Sequence, residues 1–314
     1  MTSESPASTD AGNAGSLRAA STIVIFKPVS GSGTEEADLR SAFDAFDVEF
    51  SPTTEDDPGT GQAERAVAAG ASTVVACGGD GTVRAVLQAV AGSQTTLAVV
   101  PLGTGNLLAS NLDLPVGLDA VSDAVDGPTR RLDVGTVNGE RFAVMAGVGF
   151  DAAMIRDAAP AIKRRFGSVA YVFSAVRNVP AKLTRATLDV DGRTVWKGRT
   201  AMVLVGNCST VTGGLEVFPD GKPDDGVLEV AVLSARKLRD WTSVFWRLLR
   251  NKPQRPDLVA RFKGTRVSVS MVSAMPYELD GEDRPATNQL DFTIEPSALS
   301  VRVAGNGEET EDVK

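Results

Sequence analysis

The chain has 314 residues, 42% hydrophobic and 23% charged, with a net charge of −8, no histidine and two cysteines. That length exceeds one comfortable core and fits two domains of ordinary size in a globular chain. The missing histidine excludes Ser-His-Asp and Cys-His nucleophiles and every His-containing metal site, and two cysteines cannot build a CxxC-type zinc or redox site.

Residues 1–20 are rich in Ser, Thr, Ala and Gly and read as a flexible tail, without the basic start and apolar run of a signal peptide. No apolar stretch nears the roughly 20 residues of a bilayer span, and Cys77 and Cys208 form no disulfide framework. A cytoplasmic or peripheral protein is therefore expected.

Apolar runs at Thr22–Phe26, Val48–Phe50, Thr73–Ala76 and Leu97–Val100 predict short buried strands. Helical stretches lie between and after them, at Glu35–Phe46, Gln62–Ala69, Val83–Ala91 and Asn106–Leu112. Strand–helix alternation predicts a doubly wound α/β domain over residues 21–135, with ligands at the carboxyl ends of its parallel strands.

After Val134 the pattern turns β-rich over residues 136–295. Strands are predicted at Arg141–Gly147, Ala186–Val190, Thr194–Trp196, Thr200–Gly206, Val227–Leu233, Thr265–Val272, Met275–Leu279 and Leu290–Ile294. Asn138-Gly139 and Asp191-Gly192 are hairpin turn signals. Helices interrupt near Ser168–Asn178 and Leu238–Arg250. The chain end at 296–304 is a candidate to return to the first domain, and 305–314 is an acidic tail.

The net charge conceals two unlike halves. Residues 1–135 carry 7 Lys/Arg against 18 Asp/Glu, and residues 136–304 carry 24 against 18. Ile162–Arg185 is basic with no acid, and Arg236–Arg266 holds ten basic residues against Asp240 and Asp257. These read as solvated helix faces, or as surfaces for a partner that differs between the two halves. Nucleic acid is not expected, because the chain is acidic overall and carries no recognition motif.

The strongest local signal is Gly78-Gly79-Asp80-Gly81-Thr82, directly between a strand and a helix. Glycines admit close backbone approach and a helix start offers oriented N–H groups, which suits phosphate; a tight turn is the plain alternative. Neither GxGxxG nor GxxxxGK[ST] occurs. Pro101-Leu102-Gly103-Thr104-Gly105-Asn106 and Lys27-Pro28-Val29-Ser30-Gly31-Ser32-Gly33 end two further strands. Three such loops at one sheet edge can surround a polyphosphate without any histidine.

On these loops the chain resembles the diacylglycerol kinase catalytic family, soluble lipid kinases related to sphingosine and ceramide kinases, with a fold shared by NAD kinases. Further matches are Arg131–Gly135, Gly147–Asp151, Gly213-Gly214, Lys222–Val230 and Asp280-Gly281-Glu282. The resemblance implies an α/β nucleotide-binding domain, a C-terminal β-sandwich, and transfer of the ATP γ-phosphate to a lipid hydroxyl, diacylglycerol foremost. Sphingoid or other lipid alcohols, NAD, and an inactive nucleotide- and lipid-binding regulator are the alternatives.

By position, the resemblance assigns nucleotide contacts to Lys27, Ser30, Gly31, Thr54, Gly78, Gly79, Asp80, Gly81, Thr82 and Thr104. It assigns Mg²⁺ to the Asp225 carboxylate with the backbone oxygens of Lys222 and Val227, a donor set that suits a hard cation. Glu282 matches the proton acceptor for the lipid hydroxyl. Asp80 is its rival, or else a partner of Asp133 at Mg²⁺. The chain departs at Lys27, where Asn is usual, and at Leu107, where many members have Asp. The resemblance also implies that two copies can pair.

Overall fold

The computed structural model describes residues 22–28, 34–149, 183–211, 215–235, 238–250 and 252–305. The helix expected near Ser168–Asn178, the basic stretch 162–182, Ser30, Gly31 and Gly213-Gly214 lie outside them.

The first domain alternates β1 (Thr22–Phe26), α1 (Glu36–Ala42), β2 (Glu49–Pro52), α2 (Thr60–Ala68), β3 (Thr73–Gly78), α3 (Asp80–Val90) and β4 (Thr96–Pro101). α4 (Leu107–Asn111), a 3-10 turn (Gly117–Ala120) and α5 (Val121–Asp126) follow. The strands are parallel in the order β2-β1-β3-β4. Alternate residues of each strand feed opposite faces. Ile23, Ile25, Val74, Ala76, Leu97 and Val99 pack with α2 and α3, through Ala63, Ala66, Val83, Val86 and Leu87. Val24, Phe26, Val75, Cys77, Ala98 and Val100 pack against Leu39, Phe43, Val121 and Ala124. Both faces are covered, so the strands read as unbroken apolar runs.

The second domain is a β-sandwich. It contains β5 (Thr129–Val137), β6 (Glu140–Phe142), β7 (Met145–Val148), β8 (Thr184–Val190), β9 (Arg193–Thr200), β10 (Met202–Gly206), the short pair β11 (Thr210–Val211) and β12 (Leu215–Glu216), and β13 (Leu228–Leu233). α6 (Leu238–Leu249), β14 (Val259–Gly264), β15 (Arg266–Leu279) and β16 (Glu282–Arg302) complete it. Its core gathers Phe142, Val148, Leu188, Val203, Val205, Val230, Val267, Leu290 and Phe292.

Two predicted strands, Thr265–Val272 and Met275–Leu279, are one strand, β15. Register shifts between Ser270 and Tyr277 bend it, so Val267–Met271 pair with β8 while Tyr277–Leu279 pair with β7. Leu290–Ile294 is only the middle of β16, which also pairs with β5 and, through Ser300 and Val301, runs parallel to β4. One strand thus runs from the end of the sandwich sheet to the α/β sheet.

Candidate active site

Because β1 to β4 are parallel and in register, Phe26 lies beside Pro52 and Cys77, and Gly78 beside Pro101. The segments beginning at Lys27, Thr53, Gly79 and Leu102 therefore leave one edge together. Lys27 and Thr104 are exposed there. Thr54 is exposed too, with its hydroxyl accepting the Asp57 amide at 3.1 Å.

The Gly78–Thr82 segment is hardly a loop. β3 ends at Gly78, Gly79 caps, and Asp80 is the first residue of α3. Its glycines allow close contact within the protein. A Cβ on Gly103 would lie 2.5 Å from the Gly79 Cα, so the two glycine segments touch backbone to backbone. Thr82 is buried beneath Gly78.

Asp80 fastens these segments together. Its Oδ2 accepts the Asn106 amide at 3.0 Å and its Oδ1 the Leu107 amide at 2.6 Å. Burial pushes its carboxyl above the ordinary range, the two amides pull it back, and the nearby Glu282 charge pushes it further up. Both oxygens are occupied, which sets Asp80 apart from a free base. Leu107 contributes its amide to this staple and its side chain to the core.

Asp133 is buried and its carboxylate accepts the amides of Gly226 at 2.6 Å and Ser297 at 2.7 Å. It pins the loop 222–227 onto β5, aided by the Asp133 amide on the Pro223 carbonyl and by the Arg130–Asp224 ion pair. In that loop Lys222 and Asp225 are exposed, Val227 is half-buried, and Asp225 Oδ1 accepts the Val227 amide at 3.1 Å. A pinned loop with one carboxylate and backbone oxygens is a donor set that fits Mg²⁺.

Glu282 arrives from the other domain. Asp280 and Gly281 have φ of 44° and 85°, as a two-residue type I′ hairpin turn requires, and Leu279 pairs with Glu282 across it. Asp280 is buried, with Oδ1 accepting the Val144 and Met145 amides and Oδ2 the Ala143 amide, at 2.8–3.0 Å. Burial pushes its pKa to about 6 against those three amides. This anchor sets Glu282 over α3, where a Cβ on Gly81 would lie 2.5 Å from Glu282 Oε1.

Sequence reasoning missed the residues around Glu282. Its Oε2 meets Arg84 Nη2 and lies 3.4 Å from Arg284 Nη1, while Arg284 also grips Glu140 through Nε and Nη2 at 2.9 Å. Spacing held a signal. Asp80, Arg84 and Gln88 follow one another at i+4 on α3, and Glu282 and Arg284 at i+2 on β16. Gln88 continues the seam, bonding the Arg141 carbonyl at 2.7 Å and its amide at 3.1 Å. One face of α3 thus joins the glycine segment to the sandwich.

Behind the turn, Glu278 is 2% exposed. Burial, with Asp280 and Asp283 nearby, pushes its pKa to about 8 from an ordinary 4.5. As pH rises between those values the unfolded chain loses this proton and the folded one keeps it, so stability falls across the window. Asp280, also shifted upward, adds in the same direction at the acid end. Urea unfolding at about pH 5 and about pH 8.5 is expected to show a smaller stability difference in Glu278→Gln, by up to about 4 kcal/mol.

Comparison with known proteins places this architecture. The diacylglycerol kinase catalytic domain family matches residues 21–137, and the YegS C-terminal NAD kinase beta sandwich-like domain family matches residues 143–303. The chain belongs to the diacylglycerol kinase/YegS lipid kinase family. A "Probable lipid kinase YegS-like" of Pseudomonas fluorescens is 30% identical, covering 76% of this chain and 80% of that protein. A diacylglycerol kinase of Bacillus subtilis is 28% identical, covering 82% and 88%. A solved diacylglycerol kinase from Bacillus anthracis shares the fold with a TM-score of 0.69 at 18% identity, covering 90% of this chain and 96% of that one. An NAD kinase from Archaeoglobus fulgidus in complex with ATP has a TM-score of 0.50 at 12% identity, covering 90% and 93%. In this chain the α/β domain carries the glycine segments and the sandwich carries Glu282.

Proposed function

We propose that the protein transfers the γ-phosphate of ATP to a hydroxyl of a membrane lipid, diacylglycerol foremost, giving phosphatidic acid and ADP. The observation that carries this reading is Glu282 Oε1 standing over Gly81, at the start of α3 and beside the joined glycine segments. A carboxylate oxygen there can take a proton from an acceptor hydroxyl while amides and hydroxyls face phosphate.

In the reaction, the lipid oxygen forms a bond to the γ-phosphorus and the bond from that phosphorus to the β-phosphate oxygen breaks. The electron pair leaves with ADP, and Glu282 Oε1 takes the hydroxyl proton. Phosphoryl transfer asks mainly for in-line positioning and charge neutralisation, so one carboxylate is enough side-chain chemistry. Thr104, with the amides of Gly79, Asp80 and Gly81, forms the nucleotide-facing set, buried Thr82 supports it from beneath Gly78, and Lys27 and Thr54 lie along the same edge. Ser30 and Gly31 complete the set by sequence position alone. Mg²⁺ held by Asp225 and the backbone oxygens of Lys222 and Val227 would supply a fixed positive charge in that loop.

An anionic membrane surface is the proposed partner, reached from the cytoplasmic side as a peripheral protein. Among the described residues, no helix is long and apolar enough to cross a membrane. α6 supports docking: Trp241 and Val244 are buried, while Trp246 is 49% exposed and the Arg250 guanidinium lies 5.0 Å from its ring centroid. Exposed Lys252 adds charge, while Arg239 and Arg255 pair with Asp240 and Asp257, and each basic residue near an anionic surface contributes about 1 kcal/mol.

The test is transfer of labelled phosphate from ATP, with Mg²⁺ in anionic mixed micelles, to a panel of diacylglycerol, sphingosine, ceramide and NAD. Labelled phosphatidic acid is expected, and Mg²⁺ chelation is expected to abolish it. Label on sphingosine alone would move the reading to a sphingoid kinase, and label on NAD alone would refute a lipid acceptor.

A further inference from the structure

We propose that Arg84 and Arg284 are positioning residues for Glu282, holding Oε2 so that Oε1 is the carboxylate's one proton-accepting oxygen. This inference rests on the reading of Glu282 as the base in lipid phosphorylation.

The carboxylate is used asymmetrically. Oε2 receives both guanidinium groups, Arg84 from α3 and Arg284 from β16. Oε1 stands over Gly81, and no hydrogen bond to it is formed among the described residues. Arg284 is fixed from its other side by Glu140 on β6, whose two oxygens accept from Nε at 2.9 and 3.1 Å. Arg84 Nη1 lies 3.8 Å from the same Glu140. Carboxylates and guanidiniums therefore alternate along Glu140, Arg284, Glu282 and Arg84, from three elements far apart in the chain.

These pairs differ from ordinary surface pairs. The Arg84 and Arg284 side chains are 12% and 16% exposed, and Arg84 Nε is buried without a partner. An arginine so placed loses hydration that the ion pairs must offset. Exposed pairs on a solvated face would contribute little and would fix no rotamer.

The electrostatic surroundings explain why two cations are needed. The groups around Glu282 are Asp80 and Arg84 on α3, Glu140 on β6, reached through both arginines, Asp280 in the turn, and Asp283 and Arg284 on β16. Acids outnumber bases there even before a polyphosphate binds. Two neighbouring carboxylates without compensation share a proton. A base that already holds a proton cannot take one from a hydroxyl. The two guanidiniums on Oε2 fix which oxygen faces the acceptor.

The test is the pH dependence of kcat for lipid phosphorylation at saturating ATP and lipid in Arg84→Gln, Arg284→Gln and Arg84→Lys, beside wild type and Glu282→Gln. Loss of one guanidinium is expected to move the acid limb of kcat up by about one pH unit. On the acid side of the limb, kcat is expected to fall about tenfold while KM for ATP changes less than about twofold. Arg84→Lys keeps the charge without the planar fork, so its limb is expected to return toward the wild-type position. If Arg84→Gln does not fold, Arg284→Gln and Glu140→Gln, which frees Arg284, carry the same readout. A wild-type limb in folded Arg84→Gln and Arg284→Gln, with Glu282→Gln inactive, overturns the positioning role alone. Full activity in Glu282→Gln, or no lipid product from wild type, overturns the base assignment and the positioning role together.

Discussion

Glu282→Gln is expected to lower kcat for lipid phosphorylation by about 10³-fold, within the 10²–10⁴-fold range of a positioned general base. The substitution keeps the shape of the side chain and the acceptor oxygen that Arg84 and Arg284 grip. It removes the oxygen that can take the hydroxyl proton. KM for ATP is expected to stay close to wild type, because the glycine segments are held by Asp80 rather than by Glu282. Asp80→Asn should show the opposite balance. An amide has one acceptor oxygen where the carboxylate uses two, so either Asn106 or Leu107 loses its partner and the joined loops shift. Its main effect is then a raised KM for ATP. Steady-state kinetics on the two variants separates the roles, and a kcat loss confined to Asp80→Asn would make Asp80 the base.

Asp280→Ala is expected to lose about 3–6 kcal/mol of folding stability. Three buried amides, of Ala143, Val144 and Met145, end on this carboxylate, and each buried donor left unsatisfied costs about 1–3 kcal/mol. Alanine also tolerates the φ of 44° at this turn poorly, whereas asparagine adopts it readily. Such a loss is a large share of the roughly 5–15 kcal/mol that holds a domain together. Asp280→Asn should therefore fall between alanine and wild type in urea unfolding. Activity should decline with stability, since Glu282 is carried by the same turn.

The α/β half was legible because parallel strands buried on both faces appear as uninterrupted apolar runs. Strands with a solvent face were harder. β14, Val-Ala-Arg-Phe-Lys-Gly, is an edge strand whose exposed Arg261 and Lys263 hide the apolar alternation. β5 starts with exposed Thr129, Arg130 and Arg131 and becomes buried only at Leu132. β16 spans 21 residues and includes Pro285 and Pro296, which argue against a long strand when read locally. Motif matching singled out Asp80 and Glu282 but could not rank them. Their difference lies in what occupies their oxygens, which only the fold reveals. Arg84 and Arg284 escaped notice because a guanidinium has no motif of its own. Their spacing from Asp80 and Glu282 acquires meaning once α3 and β16 face each other.

The most direct measurement is the mass of the lipid product from purified protein, ATP, Mg²⁺ and dioleoylglycerol in anionic mixed micelles, beside Glu282→Gln. The account predicts that wild type converts dioleoylglycerol into the species heavier by one PO₃H unit, with stoichiometric ADP, and that the variant forms almost none. ATP binding without a phosphorylated lipid from wild type, or equal product from both proteins, would contradict it.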